Sequence, residues 1–381
     1  MASKTKQMDG DSAEMRWEEK GVVNVTLVDG VFTEADTATA TILKTATGNE
    51  NPRVLLVADA NVVQRTEGLG SRIGRYLQAN NLVLASPPIV LSAGEKLKCD
   101  NLQSITKICE TAVKADVGAN DAIVALGGGS LLDTAGFAAA QIRGGVKLVR
   151  IPTTTAAMVD GVFATTACAN LCGVKDALKV PSHPVAAIID TDFAKTVLDG
   201  VWRGGFSELV RHAAVRDATL LKRLSAAALA VHDRDSDMMR ELIRLAIASR
   251  ISRGDSDFSL WCANRLEAMS GYKLPHGYAV AIAICIDCAY AVESGMLKEG
   301  EQELICRTLA DCGALDGLGH SQHLLAQTDS LLKGLDDWRL ATGSVARTMP
   351  VGAGKGKSDD KPSREAYRKV IDEFLSAYSG E

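Results

Sequence analysis

The chain has 381 residues, enough for two domains of ordinary size around a large core, and 46% of them are hydrophobic. No apolar run approaches the ~20 residues of a membrane span, and a formal net charge of −5 gives no basic footprint for nucleic acid. Nine scattered cysteines lie mostly in apolar segments, and Cys285-x-x-Cys288 has no second pair at zinc spacing. That fits free thiols in a reducing compartment better than a disulfide frame. The first twenty residues are polar and carry no apolar signal region, so a loose tail over 1–20 and a cytoplasmic protein are expected.

After the tail, Gly21–Leu27 alternates as a strand and the threonine-rich Phe32–Lys44 has helical spacing. Arg53–Ala58 is a buried-strand run, Gly68–Ala79 an amphipathic helix, Pro88–Leu91 a short strand and Leu102–Lys114 a helix. Ile123–Leu126 is the next apolar strand, followed by a helical segment to Ile142 and strands at Val146–Ile151 and Val185–Ile189. Strands alternating with helices predict a parallel α/β sheet, a Rossmann-like domain over residues 21–191. Long helical segments then dominate at Phe206–Ala230, Ser236–Ile251, Leu260–Met269, Ala279–Gly295 and Glu301–Cys312. The glycine- and charge-rich Val351–Pro362 reads as a loop before a last helix, Ser363–Tyr378. An all-helical domain over 192–381 is expected to face the carboxyl ends of the strands, where ligands of such sheets sit.

The stretch Asp121–Asp133, DAIVALGGGSLLD, organises the rest. A strand, a turn of Gly127, Gly128, Gly129 and Ser130, and a helix expose backbone N–H groups at a helix N-terminus, an end that binds phosphate. The turn is neither GxGxxG nor GxxxxGK[ST], so on spacing alone a phosphate cradle and a plain βα turn stand equal.

Further motifs follow the other strands: Asp59-Ala60-Asn61, Gly94-Glu95-x-x-Lys98, and Pro152-Thr153-Thr154 with Asp160 six residues past Thr154. With the glycine turn and Asp133, these four segments in order resemble the dehydroquinate synthase superfamily of sugar phosphate cyclases over about Arg53 to Gly295. The segments His276–Ile282 (HGYAVAI) and Asp257–Glu267 resemble the branch that cyclises sedoheptulose 7-phosphate, the epi-valiolone and deoxygadusol synthases. The resemblance implies a dehydroquinate synthase-like fold, a phosphate-eliminating lyase, a homodimer, a sugar phosphate substrate with no nucleic acid or membrane partner, and NAD with a divalent metal, zinc or cobalt. NAD contacts are implied for Asp59, Asn61, Glu95, Lys98, Gly127, Gly128, Gly129, Ser130, Asp133, Thr153, Thr154 and Asp160. Substrate and catalytic roles are implied for Asn170, Lys175, Glu208, Arg211 and His276, with Arg143, Arg253 and Asp257 on the phosphate side.

The chemistry the resemblance implies oxidises one hydroxyl to a ketone with NAD, which acidifies the neighbouring C–H, releases phosphate, reduces the ketone and closes the ring. It needs a cation that polarises the hydroxyl and ketone, and positive charge for the phosphate. The family's metal ligands are one glutamate and two histidines. Glu208 and His276 match two of them, and Leu260 stands where the other histidine would be. Three readings follow: a replacement oxygen from Asp255 or Asp257, a weakened site completed by water, or loss of metal and cyclase activity. Thr166 and Asp176 also replace a usual lysine and asparagine, and Arg211 replaces a usual lysine, keeping the charge with different geometry.

Each residue also has an ordinary structural role open to it. Asp133 and His276 can serve as helix caps, Glu208 as a first-turn helix glutamate, and Arg143 as a solvated turn residue. Two other functions stand beside the cyclase. One is an NAD(P)-dependent metal polyol or glycerol-1-phosphate dehydrogenase, which Lys179–Asp192 also resembles. The other is a non-catalytic NAD-binding relative.

Overall fold

A computed structural model of the chain describes residues 5–9, 12–16, 21–92 and 94–378. In chain order the strands are β1 (Thr5–Asp9), β2 (Ser12–Arg16), β3 (Asn24–Val28), β4 (Arg53–Asp59), β5 (Val83–Leu84), β6 (Ile89–Leu91), β7 (Ala122–Gly127), β8 (Lys147–Pro152), β9 (Thr166–Leu171), β10 (Val174–Pro181), β11 (Ala186–Asp190), β12 (Arg347–Gly352) and β13 (Lys355–Asp359). The helices are α1 (Ala38–Thr47), α2 (Ala60–Arg65), α3 (Leu69–Ala79), α4 (Gln103–Lys114), α5 (Gly129–Gln141), α6 (Thr155–Val159), α7 (Asp199–Arg216), α8 (Ala218–His232), α9 (Ser236–Arg253), α10 (Leu260–Met269), α11 (His276–Glu293), α12 (Glu299–Asp311), α13 (Gln322–Leu325), α14 (Thr328–Thr342) and α15 (Arg364–Tyr378).

The main sheet is parallel, in the order β3-β11-β8-β7-β4. Its far edge is divided, because β5 pairs the start of β4 and β6 pairs its end. β7 and β11 are buried at every position, as expected for strands covered on both faces. Successive side chains point to opposite faces. Leu55, Val57, Ile123 and Ala125 pack with Ile108 of α4 and Leu131 and Leu132 of α5. Val54, Leu56, Val124 and Leu126 join a second core, which runs through Phe206 and Leu209 of α7 into Ile282 and Ile286 of α11. That shared core fixes the helical half against the sheet. The Rossmann-like sheet followed by helices is the architecture the sequence predicts.

α11 is long and apolar enough to cross a membrane, but 72% of it is buried inside the protein. It packs against α7, α10, α12 and α15, which explains its apolar composition. Its first turn crosses α7 at Gly277. A Cβ there would lie 2.1 Å from the Gly204 Cα, so only glycine allows the two backbones to approach this closely.

Three expectations change. The helix expected over Phe206–Ala230 begins at Asp199 and breaks at Asp217, whose carboxylate accepts from Thr219 N and Leu220 N to cap α8. Glu208 is therefore mid-helix rather than in a first turn. The loop expected over Val351–Pro362 contains part of an antiparallel β12–β13 hairpin. The β9–β10 hairpin was not expected, because its buried positions hold small residues. Cys172 and Gly173 make its turn with φ of 52° and 74°, the left-handed pair of a tight hairpin. Of the expected N-terminal tail, the structure describes an antiparallel β1–β2 backbone pair, and the rest lies outside the described residues.

Candidate functional site

The carboxyl ends of β4, β7 and β8 meet at the glycine turn. Thr153 N donates to Gly127 O at 3.0 Å, while Leu131 N and Leu132 N both donate to Gly128 O. Gly128 occupies the cap position of α5 without a side-chain cap, and a Cβ added to Gly129 would meet nothing within 4 Å. The buried Thr153 Oγ1 beside this turn has no hydrogen-bond partner. An open helix N-terminus, a close backbone approach and an unpaired hydroxyl fit a dinucleotide pyrophosphate. Asp59 caps α2, accepting from Asn61 N at 2.7 Å, and Thr154 caps α6.

Below the turn lies a buried polar group. Lys98 Nζ is 2.8 Å from Asp133 Oδ2, 2.5 Å from Asp176 Oδ1 and 3.4 Å from Glu95 Oε1. Ser130 Oγ donates to Glu95 Oε2 at 2.7 Å, and Asn170 Nδ2 donates to Glu95 Oε1 at 3.1 Å. Asp133 thus pairs with Lys98 rather than capping its helix. Ligand atoms of Asp133, Cys168 and Asp176 lie within 4.8 Å of one another, but the Lys98 ammonium already bridges the two carboxylates. Burial and those two charges push the Cys168 thiol up to about 12.

A second group joins the sheet half to the helical half. Lys175 Nζ, on β10, is 2.6 Å from Glu267 Oε1 on α10. The same Glu267 oxygen lies 2.7 Å from His276 Nδ1, and His276 Nε2 lies 2.8 Å from Glu208 Oε1. Arg211 Nε donates to Glu208 Oε2 at 2.6 Å, its Nη2 to Asp160 at 3.2 Å and its Nη1 to Ser256 O. Arg250 continues the chain to Asp160 and Asp255. The Gly204–Gly277 crossing explains the meeting: Glu208 is one turn beyond Gly204, and His276 immediately precedes Gly277.

Desolvation lowers His276, but the Glu267 charge and its hydrogen bonds to Glu208 and Glu267 outweigh this and push it up to about 10. Burial raises Glu267, but Lys175 and His276 bring it down to about 2. Burial likewise raises Glu208, and Arg211 and His276 overcome it and hold the carboxyl far below its usual value. The result is a buried run of opposite charges.

The residues do not fit a divalent ion at Glu208 and His276. Both His276 nitrogens face carboxylates, and Leu260 begins α10 with a hydrocarbon side chain. Asp257 accepts from Thr348 N and Asp255 pairs with Arg250, so neither is gathered as a replacement ligand. Arg253 pairs with Asp217. Arg143 is not brought to the cleft within this chain: it follows α5, where Nε donates to Val117 O and Nη2 lies 3.6 Å from Asp116. Asp160 belongs with Arg211 and Arg250 rather than with the glycine turn. Glu267 and Arg250 were missed by sequence reasoning. The Leu266-Glu267 end of the Asp257 motif was the available signal for the first, and nothing local marks the second.

Two family models match the chain: 3-dehydroquinate synthase N-terminal over residues 88–203 and 3-dehydroquinate synthase C-terminal over residues 205–317. The 3-dehydroquinate synthase of Rhodopseudomonas palustris (strain TIE-1) is 26% identical over 344 residues, covering 84% of this chain and 87% of that protein. That of Nitrobacter winogradskyi is 29% identical over 339 residues, covering 82% and 84%. Among solved structures, a 2-epi-5-epi-valiolone synthase from Streptomyces hygroscopicus subsp. jinggangensis 5008, with NAD+ and Zn2+ bound, has a TM-score of 0.83 at 21% identity over 95% of this chain and 98% of its own. A 2-deoxy-scyllo-inosose synthase complexed with carbaglucose-6-phosphate, NAD+ and Co2+ gives 0.76 at 18% identity over 97% of this chain and 100% of its own. At these identities the solved structures establish the shared fold.

Proposed function

Because the chain belongs to the dehydroquinate synthase-like superfamily of sugar phosphate cyclases, we propose that it is an NAD-dependent cyclase acting on a heptulose phosphate such as sedoheptulose 7-phosphate. The observation that carries this reading is the open glycine turn beside the Lys98, Asp133 and Asp176 group. Gly127, Gly128, Gly129, Ser130 and Thr153 would hold the dinucleotide. When bound there, NAD would supply a reversible hydride acceptor. The HGYAV segment supports the heptulose branch.

The chain's own residues supply fixed charge. His276 is the part-exposed member of its group, with 38% of its side chain accessible. It carries a proton between Glu208 and Glu267 and offers positive charge to a leaving phosphate or a developing oxyanion. Lys98 and Lys175 add buried charge and orient Asp133, Asp176 and Glu267.

A second reading, a dinucleotide-binding relative without cyclase activity, is favoured by Leu260 and by the engagement of all three Arg211 nitrogens. One experiment separates the two. Phosphate release from sedoheptulose 7-phosphate with NAD is measured alongside NAD binding by calorimetry. Phosphate release with a cyclitol product supports the cyclase. NAD binding without release overturns it for this substrate and supports the second reading. Absence of NAD binding sinks both.

A further inference from the structure

We propose that the Arg211 guanidinium is the resident cation of the Glu208–His276 pocket and that this pocket works without a divalent metal. The inference rests on family membership and local geometry, and holds whether or not the chain turns over a heptulose phosphate.

The first support is the donor set. A zinc or cobalt site of the implied kind needs three protein ligands and an open position. Leu260 removes one, and the nearby carboxylates that could replace it are committed elsewhere, Asp255 to Arg250 and Asp257 to Thr348 N.

The second is distance. Glu208 Oε1 and His276 Nε2 are 2.8 Å apart, a direct hydrogen bond. Two ligands of one tetrahedral ion at about 2.0–2.2 Å stand roughly 3.3–3.6 Å apart with the histidine lone pair facing the ion, so this hydrogen-bonded pair would have to open to admit one. Here both ring nitrogens are directed at carboxylates.

The third is the occupant. Arg211 lies three residues after Glu208 on α7, so the two share a helix face. Its side chain is 2% exposed, and its three nitrogens reach Glu208, Asp160 and Ser256 O. A planar fork held at three points is a fixed charge, unlike the flexible ammonium of a lysine. Arg211, Arg250 and Lys175 already face Glu208, Asp160, Asp255 and Glu267. A dication would enter a pocket with at most one unmatched negative charge, against a guanidinium that cannot lose its proton.

The test is metal content, measured by mass spectrometry on the full chain as purified and again after incubation with zinc and dialysis. The expected result is no ion that depends on Glu208, and a melting temperature unchanged by a chelator. About one zinc per chain, lost on Glu208→Gln, would overturn the proposal. Zinc that survives Glu208→Gln but is lost on Cys168→Ser lies in the Asp133–Cys168–Asp176 group and leaves the proposal standing. A Leu260→His, Arg211→Lys double variant restores the third ligand and frees the pocket, and is expected to take up about one zinc per chain. If it folds and stays empty, Arg211 and Leu260 are not what excludes the ion and the proposal fails. If it does not fold, the content of the unmodified chain and of Glu208→Gln still decides.

Discussion

Lys175 Nζ and Glu267 Oε1 meet at 2.6 Å across the junction of the two halves, with side chains 9% and 3% exposed. One residue comes from the β10 edge of a hairpin and the other from the last turns of α10, so the pair pins hairpin to helix. Breaking such a pair leaves an uncompensated buried charge. Glu267→Gln is expected to destabilise the chain by about 3–5 kcal/mol in urea unfolding. Lys175→Met combined with Glu267→Leu removes both charges and is expected to recover only part of that loss, because His276 Nδ1 loses its acceptor with Glu267. A single Glu267→Gln variant as stable as the parent would show that the pair is not a fastening.

His276 makes the same junction sensitive to alkali. Its folded value of about 10 stands above the ordinary 6.5, so the folded chain holds a proton that the unfolded chain releases. The stabilisation is complete below about pH 6.5 and disappears as pH rises through about 10. Unfolding free energy should therefore decline over that window more steeply in the parent than in His276→Gln. Parallel declines in the two proteins would remove the ring as the cause.

His212 works in the opposite direction. Ser249 Oγ donates its one hydrogen to Asp217 Oδ2 at 2.7 Å, so the 2.9 Å contact to His212 Nε2 requires the ring to donate. Nδ1 is then the bare nitrogen, buried without a partner. Burial, reinforced by Arg250 and Arg211, lowers the ring to about 4. Between pH 6.5 and 4 the unfolded chain takes up a proton that the folded chain refuses. Stability should fall by up to about 3 kcal/mol as pH drops through that range. His212→Gln keeps the donor to Ser249 and should flatten this acid slope. An unchanged slope would assign the acid loss to other groups.

What was legible in the sequence is what is local. The GGGS turn, the Asp59-Ala60-Asn61 segment and the HGYAV helix start each lie within a few residues of the geometry they produce, and the structure has a strand end or a helix start at each. Leu260, at the position where the resemblance implies a metal histidine, was legible too, since a leucine has no donor in any fold. The pairings were not. Lys98 finds Asp133 and Asp176, and Lys175 finds Glu267, over 35 to 92 residues, a choice made by sheet order and helix crossing. Position in a motif also does not say which end of an element a side chain reaches. Arg143 follows the 13-residue α5, so about 20 Å of helix separates it from the glycine turn.

Gly129 tests the cofactor half directly. It is the first residue of α5, its φ is not left-handed, and a Cβ there would meet nothing within 4 Å. Alanine therefore fits the folded chain and suits a helix better than glycine. The space that the methyl enters is where a phosphate would approach the backbone N–H groups. Gly129→Ala should keep or slightly raise the melting temperature while weakening NAD binding about tenfold or more, roughly 1.4 kcal/mol. Calorimetric titration with NAD, beside a melting curve without it, reads the two effects separately. Equal affinity in parent and variant would place the dinucleotide away from this turn and take the proposed cofactor site with it. A matched loss of affinity and stability would instead mean that the methyl disturbs the fold.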